Sequence, residues 1–445
     1  MATGMALCCA GIAATQETSE IELLRQENAQ LRARVERLEG QLQEVIHMVK
    51  QMEPANAVML TAEEAEHLRQ AAHVYKETVE KNRKWTWSSA DVRLYGYIKG
   101  DVSYDTSRIN TGNFARWVET EDTLIDDDDL NITARETRLG LEFKGPVGGS
   151  TVTSGKLEVD FYGSGAENKP EPMMRHAYLQ VDWPDYEIWV LAGQTSDVFS
   201  PLVPTTLNYS VAWWAGNIGY RRPQIRLGKL FHLGDSAELK LEAAAARSIG
   251  RQSGFDPGDS GEDWRFPVWE TRVGLSFPFV NGQRATLGLS GHYGKEQYDT
   301  NDKGDSQSFH SWSANVDLTL PLTPWLKLTG EYFHGTNLDT YLGGIGQGVN
   351  MVTLEEIDPT GGWMAIGLGP FGKWTFNLGG SLEHVDVDDV EPEQRTQNRS
   401  LWANVFYSIN EKTSVGFEFS SWNTQYKDLK AGDSFRFQTS LIYRF

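Results

Sequence analysis

Cysteine is nearly missing from this chain. Its 445 residues contain 2, and both, Cys8 and Cys9, sit side by side near the N-terminus. Positive charge is also short, with 41 Lys and Arg against 61 Asp and Glu, a net charge of −20. That balance leaves no basic surface over to neutralise phosphates, which argues against nucleic acid as a partner. Beyond Ala6–Ala14 there is no apolar run near the ~20 residues a membrane helix needs. A helical membrane protein is therefore excluded, but a transmembrane β-barrel is not, because it places apolar residues at every second position. Catalytic signatures are missing too. There is no Gly-x-Ser-x-Gly elbow and no His–Ser pairing by spacing, and nothing calls for a cofactor or a bound metal.

What is present begins with Met5 to Ala14, an apolar stretch with small residues at Gly11, Ala13 and Ala14. It reads as a signal peptide over 1–15, cut before Thr15 or Gln16, which leaves a mature chain free of cysteine. Next, Ile21, Leu24, Asn28, Leu31, Val35, Leu38, Leu42, Val45, Val49 and Met52 recur at alternating spacings of three and four. This heptad pattern predicts a left-handed α-helical coiled coil over 18–53. Asn28 stands at an a position, where a buried amide fixes register. Arg34 and Glu39 are spaced for an interhelical pair, and Arg34-Val35-Glu36-Arg37-Leu38-Glu39 resembles a short trimerisation motif of coiled coils. Pro54 interrupts the helix, Thr61-Ala62-Glu63-Glu64 reads as a capping box, and a helical linker is expected over 54–90.

From residue 91 the period changes from 3.5 to 2. Val92, Leu94, Ile98 and Val102 alternate with Arg93, Tyr95, Tyr97, Lys99 and Asp101 over more than ten residues. Alternation of that length is the mark of a transmembrane barrel strand, and it returns down the chain about sixteen times. Connections alternate between tight turns, such as Phe279-Val280-Asn281-Gly282, and long loops, such as Asp105–Asn131 and Gly335–Gly362. The chain ends on a strand whose outer face carries Phe437, Leu441, Tyr443 and Phe445. Tyr443 and Phe445 resemble the C-terminal insertion signal of bacterial outer-membrane barrels. The expected fold is an all-β transmembrane barrel of about 16 antiparallel strands over 91–445, preceded by the coiled coil. An even strand count suits a bacterial barrel, and sixteen strands enclose an aqueous channel.

Leu191-Ala192-Gly193-Gln194-Thr195-Ser196-Asp197-Val198-Phe199-Ser200-Pro201, with Thr206-Leu207-Asn208-Tyr209 and Arg222-Pro223-Gln224-Ile225-Arg226, resembles the DcaP-like porins. So do Arg175-His176-Ala177-Tyr178, Gly335-Thr336-Asn337-Leu338 and Gly343-Gly344-Ile345-Gly346. Ser196-Asp197 stands where the family usually has a Trp, and Val211-Ala212-Trp213-Trp214-Ala215 has the look of an insertion. The resemblance implies a homotrimeric outer-membrane porin that passively passes small hydrophilic solutes, anions such as dicarboxylates among them, with the coiled coil in the periplasm.

The loop 196–220 is the third outward loop by count, the one that narrows the barrel in general porins. Cations expected at a constriction are Arg221, Arg222 and Arg226, with Lys99, Arg138 and Arg272 at lumen-facing positions. Arginine forks grip carboxylates in pairs, so such a cluster favours anions. The competing reading pairs them with lumen acids such as Glu136, Glu158, Asp160, Glu242 and Glu270. Asp126–Asp129 and Asp386–Glu391 lack the glycine-bearing spacing of a calcium loop and read as solvated outward loops, within reach of lipopolysaccharide phosphates through divalent cations. The 15 Trp and 16 Tyr are expected to split between interfacial girdles, which take most of them, and sugar-contacting platforms inside. A second function remains open, an outer-membrane anchor whose coiled coil tethers peptidoglycan.

Overall fold

The computed structural model describes residues 84–87, 90–122, 127–145, 150–234, 236–249, 261–299 and 305–445. The expected signal peptide and the coiled coil, with Asn28, Leu31, Arg34, Val35, Leu38 and Glu39, lie outside these residues, as does most of the linker.

Sixteen antiparallel strands close into one barrel. They begin with β1 (Ala90–Asp105), β2 (Asp129–Thr133, continued by Arg138–Lys144), β3 (Val152–Ser164) and β4 (Glu171–Trp183). Next come β5 (Ile188–Ser196), β6 (Arg221–Leu233), β7 (Ala237–Ala246) and β8 (Val268–Val280). The long pair β9 (Gln283–Asp299) and β10 (Ser306–Thr323) leads into β11 (Leu326–Thr336) and β12 (Pro359–Phe371). The last four are β13 (Trp374–Val385), β14 (Arg395–Ser408), β15 (Thr413–Tyr426) and β16 (Gly432–Arg444). Each strand pairs with its successor, and β16 closes the ring on β1 from Tyr97↔Arg444 to Asp105↔Arg436. Closure removes the unpaired edges an open sheet would present. No helix among the described residues is long and apolar enough to cross a membrane.

Side chains on a strand alternate between faces, and this fixes which residues line the lumen. On β1, Leu94, Ile98, Val102 and Tyr104 are exposed on the outside, while Lys99, Asp101, Ser103 and Asp105 are buried inside. On β16, Phe435, Phe437, Leu441 and Tyr443 point out, whereas Ser434, Arg436, Gln438 and Ser440 are buried. An apolar exterior around a polar interior is a membrane barrel's distribution, the inverse of a soluble protein's.

The chain end lies in the wall. The Phe445 amide donates to the Gly96 carbonyl at 3.1 Å. A Cβ on Gly96 would stand 2.1 Å from the Arg138 carbonyl oxygen, so the backbones here approach too closely for any larger residue. Lys84–Trp87, inside the stretch expected as linker, is a short strand that pairs with β1 from Lys84↔Arg93 to Trp87↔Ala90. The chain thus enters the barrel already inside the sheet. Tight turns gather at one rim, as at 281–282 and 324–325, and the long connections 106–128, 197–220 and 337–358 at the other.

Candidate channel constriction

The loop 197–220 folds into the lumen, and the backbone's need for acceptors explains how it is held. A loop inside a barrel must satisfy its own amides, and here the wall supplies carboxylates for them. Glu270 on β8 accepts from the Val198 amide at 2.7 Å, and Glu331 on β11 from Leu202 at 2.7 Å. Glu418 on β15 accepts from Leu207 and Asn208 at 2.6 and 3.3 Å, and Glu383 on β13 from Gly216 at 3.0 Å. Loop carbonyls are met in turn. Asn404 donates to Thr205, Asn398 to Trp214, and both Gln438 and Lys99 to Leu207. The loop therefore lies against β8–β16 and the adjoining β1.

Two further loops pack behind it. Trp214 donates its amide to the Leu342 carbonyl at 2.7 Å, Gly219 to Tyr341 at 2.8 Å, and Asn208 exchanges bonds with both polar groups of the Ala115 backbone. Small apolar cores form in between. Phe199, Ile218, Phe333, Leu338 and Tyr341 make one, and Ile109, Ala115, Val118, Ala215 and Trp422 another. The insertion-like segment turns sharply, with left-handed φ of 45° at Val211 and 63° at Ala212 and Trp214. Such a conformation is costly for a β-branched residue. The Asn217 side chain, which donates to the Val211 carbonyl at 2.8 Å, is part of what holds it.

The wall left open by the loop is β2–β7 with the adjoining half of β1. Its centre is Glu158 on β3, which receives Tyr95 at 2.6 Å and has Arg175 at 3.0 Å and Arg138 and Lys156 each at 3.5 Å. Asp160 is bound by Arg175 and by the Tyr209 hydroxyl of the loop. A β-bulge between Glu158 and Val159, opposite Arg175, points Arg175 and His176 into the lumen together. Arg138 and Lys156 keep about a quarter of their side chains exposed. At the tight-turn rim a cavity of about 700 Å³ is lined by Thr205 of the loop and by Arg284, Lys327, Asn377, Ser414 and Arg444.

The six cations expected at the constriction separate into three groups. Lys99 is buried against Asp101 and Glu136, Arg222 is fully buried against Asp197 at 2.8 Å, and Arg272 grips Asp317 through two bonds. These three are held in ion pairs within the scaffold. Arg138 faces the open wall, and Arg226 lies there too, bonded to Gln224 and Ser196, with Glu242 at 3.7 Å. Arg221 is buried over the rings of Tyr220 and Trp213. Sequence reasoning missed Lys156 and Arg175. The alternation Lys156, Glu158, Asp160 signalled a charged lumen face, but the bulge that turns Arg175 inward left no such trace.

The acids of 127–129 bind their own surroundings, for Asp127 accepts from the Arg108 amide at 2.8 Å and Asp128 from Tyr104. In the other acidic loop Asp389 accepts from the Asp358 amide, and burial with the nearby Asp358 lifts its carboxyl above the usual range. The Trp residues divide between the two faces. Trp269, Trp325 and Trp374 are exposed outside, but Trp117, Trp213, Trp363, Trp402 and Trp422 are buried inside, because the inward loops need apolar surface to pack on.

Known proteins share this architecture. The family model described as DcaP outer membrane protein matches residues 25–434. The crystal structure of the outer membrane channel DcaP of Acinetobacter baumannii aligns with a TM-score of 0.66 at 22% identity, covering 81% of this chain and 99% of that one. OmpF of Salmonella typhi, in complex with daunomycin, aligns at 0.55 with 11% identity over 81% of this chain and 100% of that one. An anion-selective porin from Comamonas acidovorans aligns at 0.52 with 11% identity, over 80% and 100%. No curated protein matches the sequence.

Proposed function

The chain belongs to the DcaP outer membrane protein family, a 16-stranded barrel of the outer membrane with the fold of a porin channel, and from that premise we propose that it passes small hydrophilic anions, dicarboxylates among them, by passive diffusion. The observation that carries the reading is the charge on the open wall. Around Glu158 and Asp160 stand Arg138, Lys156, Arg175 and, buried behind them, Arg221, four cations to two acids. In a narrow low-dielectric passage that surplus attracts anions and repels cations, and Lys327 and Arg444 at the tight-turn rim, where Arg284 is paired with Glu238, add to it. Tyr209 of the inward loop reaches this wall through its hydroxyl bond to Asp160.

The test is conductance of the purified, refolded protein in a planar bilayer under a salt gradient. A reversal potential of chloride preference, with current blocked by added succinate, is the expected result. Potassium preference would leave the porin and remove the dicarboxylate reading.

A homotrimer with a periplasmic coiled coil completes the proposal, supported by the seam Asn28, Leu31, Val35 and Leu38 with the Arg34–Glu39 pair. Conductance in steps of three is its signature. Deleting residues 18–53 is expected to lower the temperature at which the trimer dissociates in detergent while leaving the conductance of each barrel unchanged. Equal dissociation temperatures would remove the coiled coil from assembly and shift weight to a tether, which pull-down on purified peptidoglycan would reveal.

A further inference from the structure

Buried cations in this lumen come with acids. Arg222 has Asp197 at 2.8 Å, Arg436 has Asp105 at 2.7 Å, Arg175 has Glu158 at 3.0 Å and Asp160 at 2.5 Å, and Lys99 has Asp101 at 3.4 Å. Among the described buried lysines and arginines, Arg221 alone has no ion pair with a carboxylate. It is 4% exposed, and its Nε and Nη2 are buried without a hydrogen-bond acceptor. The neighbouring Asp160 is already taken, by Arg175 and by the Tyr209 hydroxyl at 3.2 Å. Arg175 is itself a second positive charge beside Arg221.

Two aromatic faces offset part of this charge. The Arg221 guanidinium lies 4.6 Å from the Tyr220 ring centre and 5.7 Å from that of Trp213. Cation–π contact lowers the energy of a buried guanidinium but supplies no acceptor for its N–H groups. A buried charge left without partner or acceptor is among the costliest features a fold can carry. A nearby aspartate or glutamate would remove that cost, as it does for Arg222 one residue along.

We infer that Arg221 holds a small inorganic monoanion of halide size, seated beneath the loop 197–220 among Tyr209, Trp213 and Tyr220. The ion supplies the missing acceptor and the missing charge. It makes the loop's resting position depend on the anion present, since Trp213 and Tyr220 belong to the loop and Arg221 to the wall. Arg221 is one of the four cations counted on the open wall, but with an ion seated on it three still face Glu158 and Asp160, so a bromide peak and a reversal potential can each fail without the other.

Bromide tests it, because its anomalous scattering identifies the ion in a crystal. The full-length protein in detergent, crystallised from sodium bromide, is expected to show an anomalous peak at the Arg221 guanidinium. In solution, its melting temperature is expected to rise when sodium gluconate, whose anion is far bulkier than a halide, is replaced by sodium bromide. Arg221→Met should lose the peak and the rise, and should melt higher than the wild type in gluconate, because the unpaired charge is gone. Arg226→Gln should keep both. If Arg221→Met fails to fold, the wild-type peak and anion titration decide alone. No peak at Arg221 would overturn the inference. A peak with a melting temperature indifferent to the anion would mean an adventitious ion only, and would overturn it equally.

Discussion

Replacing Arg138 and Lys156 together by Glu is expected to turn a chloride-preferring channel into a potassium-preferring one. Both side chains stand 3.5 Å from Glu158 on the wall that the inward loop leaves open, and both keep contact with water. With four cations facing two acids there, the double change leaves two cations against four acids. The sign of the local field reverses while the loop's anchors on the opposite wall are untouched. The reversal potential under a salt gradient should therefore change sign, and block by succinate should disappear. The effect should shrink at high salt, where ~1 M electrolyte screens charges within ~3 Å. A variant that kept the wild-type sign would show that the cations of the tight-turn rim set selectivity instead.

The second large effect concerns stability. Arg222 and Arg226 stand four residues apart on one face of β6, yet their roles differ. Arg222 is fully buried, donates to Asp197 at 2.8 Å, has Glu270 at 3.9 Å, and lies 3.9 Å from the Tyr341 ring centre. Those acids also receive the amides of Tyr220 and Val198, so they tie both ends of the inward loop to the wall. Arg222→Met leaves two carboxylates buried together without a cation, at a cost of about 3–5 kcal/mol. The folded barrel should unfold at markedly lower urea concentration and lose its heat resistance in gel electrophoresis. Arg226→Gln loses only partial contacts with Gln224, Ser196 and Glu242, and should refold like the wild type. Comparable loss from both substitutions would sink the distinction. Charge reversal at Arg222 is consequently a test of folding, not of selectivity.

Why the two arginines could not be separated from sequence is a matter of register across the barrel. Arg222 meets Asp197 because β5 and β6 pair with Thr195 opposite Arg222, and it nears Glu270 because β8 lies two strands further along. Local spacing records neither relation. The same holds for the four glutamates that anchor the loop. Each appears in the sequence as one more charged residue on an alternating strand. Only the closed barrel shows that Glu270, Glu331, Glu383 and Glu418 converge on the backbone of a single loop. Which aromatic residues face inward was hidden for a related reason. A Trp on a barrel strand suits the lipid interface by composition, but Trp363, Trp402 and Trp422 sit at lumen parity, where inward loops cover them.

Length and alternation were nevertheless enough for the architecture. A period of two sustained over strands longer than soluble sheets use admits only one environment, lipid outside and water inside. A chain ending in Phe445 on such a strand places its end in the wall. Strand number and the lumen-facing parity of Lys99, Arg138 and Arg272 follow from that local pattern, because a strand's two faces are set by the pleat, whereas the inward fold of the third loop was expected only by likeness to general porins. Tertiary structure alone decided which lumen charges are cancelled and which are left over. That balance depends on pairing between strands and loops distant in sequence, where a single β-bulge at Arg175 or one missing carboxylate at Arg221 changes the sum.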